Sequence, residues 1–181
     1  MRNFLTVVFV MLIAISANAY ASGSASADIE YWAGSGSNSA VCVIDFGAHS
    51  YAFGYKWDTG TYKGFDMIQA IDAAGAVNLD IKDFGYGAFV NGISYNEDSC
   101  IGYGGGDNWW HYWTSENGAS WAMASTGASG RTITDGCWDG WCYGSAGAPD
   151  VPSVPEPSSM TAVFSMIGLA ASTRLLRRRG K

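Results

Sequence analysis

The densest group of side chains that could do chemistry is a run of five large residues, Trp109, Trp110, His111, Tyr112 and Trp113. On a β-strand, the odd-numbered residues would share one face and the even-numbered residues the other, because successive side chains point to opposite faces. One face would then form an aromatic platform, together with Trp121, Trp138 or Tyr103, on which a sugar ring could stack through its C–H face. In the other interpretation, a small glycine-rich domain uses these rings as its core in place of aliphatic side chains.

Catalysis would fall to carboxylates such as Asp45 with Asp58, or Asp135 with Asp139. A glycosidase holds two carboxylates roughly 5 to 10 Å apart across a cleft, and a small domain with one helix rarely forms a deep cleft. The glycine run at 102–106 lacks the Lys and Ser/Thr of a phosphate-binding loop, and the spacing of a calcium loop is missing. We therefore expect no enzymatic activity, no cofactor and no metal site.

The chain has four cysteines, Cys42, Cys100, Cys137 and Cys142. With Asp139-Gly140 as a two-residue type I′ turn, Cys137 would face Cys142 as a non-hydrogen-bonded pair. Their Cα atoms would lie about 4.5 Å apart, which a disulfide accepts. Elimination then pairs Cys42 with Cys100. A four-thiolate zinc site is the alternative, but the chain has no Cys-x-x-Cys spacing.

The elements that must position these residues are one short helix and several strands. Phe65, Ile68 and Ile71 recur at helical spacing, and Gly75 is placed to cap the C-terminus, which predicts a helix over 64–74. Strands are predicted at residues 40–46, 50–57, 79–84, 88–95, 109–114, 121–125 and 132–134, followed by a terminal hairpin around Asp139-Gly140.

This order of elements predicts a single α+β domain at residues 40–145, with one short helix on a mixed or antiparallel sheet. Residues 22–39 are small and polar and would form a flexible linker or an edge strand. Residues 146–157 are rich in proline and glycine and would form a second linker. No repeat of fixed period is present, which argues against a propeller or a solenoid.

Five segments of this domain carry a resemblance to a known fold, namely Asp66–Ile71, Tyr86–Tyr95, Trp109–Trp113, Asn117-Gly118 and Ile133–Gly136. Together they are similar to the β-grasp-like domain found at the C-terminus of intrinsic factor and transcobalamin and in many bacterial surface proteins. The resemblance implies a β-grasp-like fold. The vitamin carriers hold the corrin between this domain and a separate α-helical barrel, which this sequence does not encode, so cobalamin binding is not expected.

Residues 154–181 combine a turn, an apolar segment and a basic end. Pro155-Glu156-Pro157 cannot continue a helix or strand, because each proline lacks an N–H and restricts the residue before it. As a helix, residues 158–176 would span roughly 28 Å, close to the thickness of a hydrocarbon core. Residues 177–181 carry positive charge. The sequence therefore predicts a transmembrane helix with a cytoplasmic basic tail.

This tail resembles the PEP-CTERM sorting signal of Gram-negative surface proteins, with Pro155, Glu156 and Pro157 as the motif. The resemblance implies recognition there by an exosortase, a membrane-embedded cysteine protease or transpeptidase, and a link to bacteria that produce exopolysaccharide. An ordinary membrane anchor after a proline-rich linker is the alternative.

The N-terminus predicts export. Arg2 precedes the apolar run from Phe4 to Ile15, and small residues follow, so residues 1–21 are typical of a signal peptide read by the Sec machinery. Basic residues after the second apolar segment would keep the tail in the cytoplasm and place residues 22–157 outside the inner membrane. After processing, the protein would reach the cell surface or be secreted.

The charge of the exported part limits its partners. Only Lys56, Lys63, Lys82 and Arg131 are basic between residues 22 and 157, against all 16 acidic residues, which gives a formal charge of −12. Such a surface repels phosphate backbones and anionic lipid headgroups, so we expect no nucleic-acid partner. Two functions are left: a structural or interaction protein of the cell surface or biofilm matrix, or a module that binds a small ligand or an extracellular polysaccharide.

Overall fold

The computed structural model describes residues 25–85, 87–144 and 147–153. They form a single small domain with one helix and mostly β-structure, as expected from the sequence. The strands are β1 Ile29–Gly34, β2 Asn38–Asp45, β3 Ser50–Trp57, β4 Asn78–Asp83, β5 Ala88–Tyr95, β6 Asp98–Ile101, β7 Trp110–Ser115, β8 Ala122–Met123 and β9 Trp138–Tyr143, and the helix is α1 Gly64–Ala73. In these three ranges no helix has the length and apolar character needed to span a bilayer.

Six strands form the main sheet in the order β1-β3-β2-β9-β7-β8. β1 runs parallel to β3, and β2 runs parallel to β9, whereas the other neighbours are antiparallel. The last strand in sequence, β9, therefore lies in the interior of the sheet and joins the β1-β3-β2 half to β7 and β8.

The remaining three strands form a separate antiparallel sheet in the order β4-β5-β6. Val90 and Ile93 of β5 are buried in the same core as the helix. The ring of Tyr95 meets Phe53 of β3 edge-on, with centroids 5.0 Å apart. The second sheet is thus packed on the face of the main sheet that also carries α1.

The helix follows from a local pattern of residues. The backbone N–H of Lys63 donates to Asp66 Oδ2 at 2.7 Å, which closes the N-terminal turn. After Ala73 the chain turns through Gly75, which has a φ of 77° that favours glycine. The residues that the helix buries completely are Met67, Ile68 and Ile71. The predicted helix over 64–74 is confirmed to within one residue.

Both faces of the main sheet are covered. On the helix side, Cys42, Ile44 and Phe53 are inaccessible to solvent. On the second side, the terminal segments of the domain pack over Val43 and Trp138. Central strands of a sheet buried on both faces are apolar on both sides, which explains the continuous apolar runs in β2 and β3.

The segments at the two ends of the domain pack on the main sheet and are not simple linkers. The predicted alternatives for residues 22–39 were a linker or an edge strand, and Ile29–Gly34 is the edge strand β1. Residues 147–153, expected to be linker, lie on the second face of the sheet. There Pro149 is buried, and the N–H of Asp150 donates to Asp45 Oδ2 at 3.0 Å. The domain therefore extends to residue 153.

The predicted hairpin around Asp139-Gly140 is wrong. Both residues lie within the continuous strand β9, which pairs with β2 on one side and β7 on the other. An added Cβ at Gly140 would lie 2.5 Å from Pro149 and 3.0 Å from Trp121. Pro149 and Trp121 approach the backbone here so closely that only glycine fits in the strand.

Candidate functional site

The aromatic run lies on the internal strand β7 and just before it. Trp110 and His111 are only 2% and 4% exposed, and Trp109, Tyr112 and Trp113 are half-buried. No ring of the run is fully open to solvent on either face. The platform of exposed rings considered from the sequence is therefore absent from this strand, because β8, the second sheet and the loops cover it.

Trp110 connects the two sheets. Its ring meets Phe46 and Tyr143 edge-on, with centroids 5.3 and 5.4 Å away. Its indole Nε1 donates to the carbonyl oxygen of Cys100 in β6 at 3.1 Å. Trp110 is thus a core residue with a satisfied polar atom.

The contacts of Trp109, His111 and Trp121 differ from those of Trp110. The ring centroids of Trp109 and His111 are 3.8 Å apart. His111 Nε2 lies 3.1 Å from the carbonyl oxygen of Asp107. Trp121 is half-buried over Gly140, and its ring centroid lies 6.5 Å from that of Trp138. Trp121 therefore covers the second face of the sheet.

A buried ionic group lies in the centre of the main sheet. Asp139 is fully buried, and its Oδ1 accepts from Arg131 Nε at 2.7 Å. Its Oδ2 accepts from Tyr112 Oη at 2.5 Å. Burial raises the pKa of Asp139, while the hydrogen bond from Tyr112 and the charge of Arg131 act in the opposite direction. Because both carboxylate oxygens have partners, we interpret this group as part of the fold.

The carboxylates considered for catalysis do not form pairs across a cleft. Asp45 caps the β2–β3 turn through Gly47 N at 2.7 Å, whereas Asp58 binds Ser37 N at the opposite end of the same two strands. Asp135 accepts from the N–H of Ser39 at 2.8 Å. In the described ranges no three residues among His, Cys, Asp and Glu come together as metal ligands.

The cysteines are all unpaired. Cys137 precedes β9 and Cys142 lies near its end, so about 16 Å of extended chain separates them, too far for a disulfide. The predicted Cys137–Cys142 disulfide is therefore wrong, because it required a hairpin at a place where the chain forms one continuous strand. Cys42 lies in the main sheet and Cys100 in the second sheet, and they are not bonded. Burial raises the pKa of Cys42, and it raises the pKa of Cys142 to about 12, so these thiols are poor nucleophiles.

An apolar pocket lies where β5, β7 and the loop after β8 meet. It has a volume of about 270 Å³, and Phe89, Trp110 and Trp141 contribute to its walls. A second pocket of about 250 Å³ shares Phe89, Trp109 and Trp110 with the first and is also lined by Tyr103. Phe89 and Tyr103 are 41% and 72% exposed, so both pockets reach the surface. These pockets are the candidate site.

Of the five residues predicted to bind a ligand, Trp109, Trp110 and Tyr112 line these pockets, whereas Trp113 and Trp121 do not. The sequence reasoning missed the contributions of Phe89 and Trp141. Phe89 precedes the buried Val90 on an alternating strand, so its outward direction was a signal that could have been used. Trp141 was assigned to a hairpin, which hid its position opposite Tyr112 on β7. The approach of β5 to these rings depends on the packing of the two sheets and has no local signal.

Several predicted segments lie outside the described residues: the signal peptide at 1–21, the motif Pro155, Glu156 and Pro157, the transmembrane helix at 158–176 and the tail at 177–181. The chain was compared with models of protein families, with curated proteins and with solved structures. No family model, curated protein or solved structure matches it.

Proposed function

We propose that this chain is an exported structural or interaction protein of the cell surface or biofilm matrix, processed by an exosortase at Pro155-Glu156-Pro157. The observation that carries the proposal is the order of motif, apolar segment and basic end in residues 154–181, which resembles the PEP-CTERM signal. An apolar N-terminal segment typical of Sec export precedes the domain. No carboxylate pair considered for catalysis is free at a cleft, which favours an interaction role over an enzymatic one.

The position of the domain relative to the motif supports the same function. Residues 147–153 lie on the main sheet, and only Val154 separates Ser153 from Pro155. Two extended residues reach about 7 Å, so processing would occur within a short distance of the folded domain. The product would be a compact acidic domain with almost no free C-terminal chain.

The finer assignment of the fold belongs to this proposal. α1 packs on β3 and β1 of a mixed sheet, the arrangement expected of a β-grasp-like surface domain. The additional sheet of β4, β5 and β6 covers part of the same face. We infer a β-grasp-like interaction module extended by three strands.

The test replaces Pro155, Glu156 and Pro157 with Ala in the full chain. Export should be unaffected, but the uncut protein should stay in the inner membrane, because the exosortase has lost its motif. Mass spectrometry of the surface or secreted fraction should find wild-type chains that end near Pro157.

Pro152→Ala is the matched control, since it removes a nearby proline outside the motif and should be processed normally. Wild-type chains with intact Lys181 in the surface fraction would contradict processing at Pro155-Glu156-Pro157.

A further inference from the structure

Residues 88–90, at the start of β5, have a strand neighbour on one edge only. β4 pairs with β5 as far as Ala88, whereas the pairing of β6 with β5 ends at Gly92. Beyond it, the N–H of Gly102 donates to the carbonyl oxygen of Asn91 at 2.7 Å. In the described part of the chain, no strand or backbone hydrogen bond continues along this edge past residue 91. Because successive residues direct their backbone groups to alternate edges, at least one N–H and one C=O of residues 88–90 have no strand partner there.

This open edge borders both pockets of the candidate site. The larger pocket is lined by Ala88, Phe89 and Val90 together with residues of β7 and of the segment 123–128. The smaller pocket is lined by Phe89, Val90 and Tyr103, among others. β4 contributes no residue to either pocket, which places both beside the unpaired edge. The edge and the two pockets therefore form one groove, which we call the β5 groove.

The β5 groove is open to solvent and uncharged. Phe89, Tyr103 and Met123 line it and are exposed. Among the described residues, no Asp, Glu, Lys or Arg lines either pocket, although residues 22–157 carry a formal charge of −12. A charged ligand would lose its hydration in the groove without gaining an opposite charge. The complementary occupant is therefore uncharged.

The polar groups of the groove favour a polypeptide over a sugar. The side-chain amide of Asn91 donates to Asp80, and the indole of Trp110 donates to the carbonyl oxygen of Cys100. A sugar unit would find few free partners here for its several hydroxyl groups, and leaving them unpaired is unfavourable. An extended polypeptide would instead bring backbone N–H and C=O groups to the open edge and apolar side chains to the rings.

We propose that the β5 groove binds an extended, uncharged polypeptide segment of a partner protein by strand addition. The segment takes the place beside residues 88–90 that β6 leaves empty, and its apolar side chains enter the two pockets. An unpaired strand edge is a template for such pairing. The inference rests on the interaction role proposed above and names its partner class. Peptide binding requires no processing at Pro155-Glu156-Pro157, so either proposal can fail alone.

The experiment uses the full chain in lipid nanodiscs and the peptide Ser-Val-Ser-Phe-Ser-Val-Ser with acetylated and amidated ends. Binding should be saturable, and empty nanodiscs report adsorption to lipid. Hydrogen exchange with mass spectrometry should show slower exchange across residues 88–90 when the peptide is bound. A peptide with Asp in place of Val and Phe should neither bind nor protect. Absence of saturable binding by the apolar peptide would overturn the proposal.

Two N-methylated peptides separate strand addition from adsorption on the rings. One is methylated at its serines and the other at Val and Phe, so each loses N–H groups along a single edge. An added strand uses one edge to pair with β5. One peptide should therefore bind as the parent does, whereas the other should bind about tenfold more weakly. Equal affinities of the two methylated peptides would contradict strand addition.

Phe89→Ala tests the side-chain contacts, because Phe89 lines both pockets. Affinity for the parent peptide should fall about tenfold. Tyr31→Ala is the matched control, since Tyr31 is an aromatic residue of similar exposure on the distant strand β1, and it should bind as wild type does. Equal affinities of wild type and Phe89→Ala would exclude this groove as the binding site.

Two other occupants give different results in the same exchange measurement. Protection of residues 88–90 by cellohexaose, a neutral sugar chain, and not by the peptide would assign the groove to a sugar. Protection that appears without any ligand and grows with protein concentration would assign the edge to a second copy of this chain. Either result would overturn the proposal.

Discussion

Trp110 shows how a single side chain in this protein serves both packing and polar satisfaction. The ring fills the space between Phe46 and Tyr143, and the indole nitrogen binds the second sheet through Cys100. Large aromatic residues bury much area at the cost of few rotatable bonds. A glycine-rich domain with few aliphatic residues obtains its core in this way.

Trp110→Ala should reduce the free energy of unfolding by about 3 to 5 kcal/mol, because it removes a fully buried ring and leaves a cavity. Trp109→Ala should cost less, since Trp109 is only half-buried. Urea denaturation of both variants, with Tyr31→Ala as an exposed control, measures the difference. An equal loss for Trp109→Ala and Trp110→Ala would show that burial does not distinguish the two rings.

At the scale of elements, two of the contacts that join separate parts of the chain are simple enough to test. The segment 147–153 lies on β9 because Gly140 leaves room for Pro149 and Trp121. The second sheet is joined to β3 by Asp98, whose Oδ2 accepts from Tyr51 Oη at 2.8 Å and lies 3.0 Å from His49 Nδ1. Each contact can be removed by one substitution.

Gly140→Ala should displace residues 147–153, because the added methyl group would overlap Pro149. We expect a loss of about 1 to 3 kcal/mol, typical of overpacking, and faster amide exchange in this segment. Hydrogen exchange with mass spectrometry measures both. Gly127→Ala is the control, since its Cβ would meet open space and its φ is not in the left-handed region. Unchanged exchange at 147–153 in Gly140→Ala would contradict the packing.

The Asp98 contact should weaken in acid. The hydrogen bond from Tyr51, and then that from His49, lower the pKa of Asp98 below its usual value. A lowered folded pKa means that the contribution to stability is complete above the ordinary pKa of about 3.9 and is lost as the pH falls below it. Asp98→Asn should remove this part of the acid dependence, whereas Asp107→Asn should not. Thermal melts between pH 2 and 6 measure this acid dependence. Identical profiles for wild type and Asp98→Asn would contradict a contribution of Asp98 to it.

At the scale of the whole molecule, packing rather than covalent bonds holds the described domain together. Its cysteines are unpaired, and three of them are buried in the main sheet or beside it. The core continues across both sheets and the helix without a crosslink. The stability of the domain should therefore not depend on redox conditions.

Reducing agent should leave the melting temperature unchanged, since no disulfide constrains the unfolded chain. Iodoacetamide should label Cys100, which is half-buried, faster than Cys42, Cys137 and Cys142 in the native protein. All four should react after unfolding. Peptide mapping by mass spectrometry measures the order, and a Cys137–Cys142 crosslink in the native protein would contradict the continuous strand β9.

Some elements could be predicted because their signals are local. The apolar spacing of Phe65, Ile68 and Ile71, followed by Gly75, was sufficient for α1, and the runs at 40–46 and 50–57 matched β2 and β3 within two residues. Such patterns record which side of an element meets the core, and that information lies within a few neighbouring residues. The export and sorting segments are also local patterns, and they remain predictions.

The sequence by itself thus determined the helix, most strand positions, the acidic character of the domain and the predicted sorting tail. Only the tertiary structure decided the place of β9, the burial of the aromatic strand and the pocket beside Trp141. Asp-Gly favours a turn where both residues meet water, but here Arg131 and Tyr112 bind the carboxylate, and Pro149 packs on the glycine. These partners come from distant parts of the chain, so their contribution exists only once the sheets have assembled.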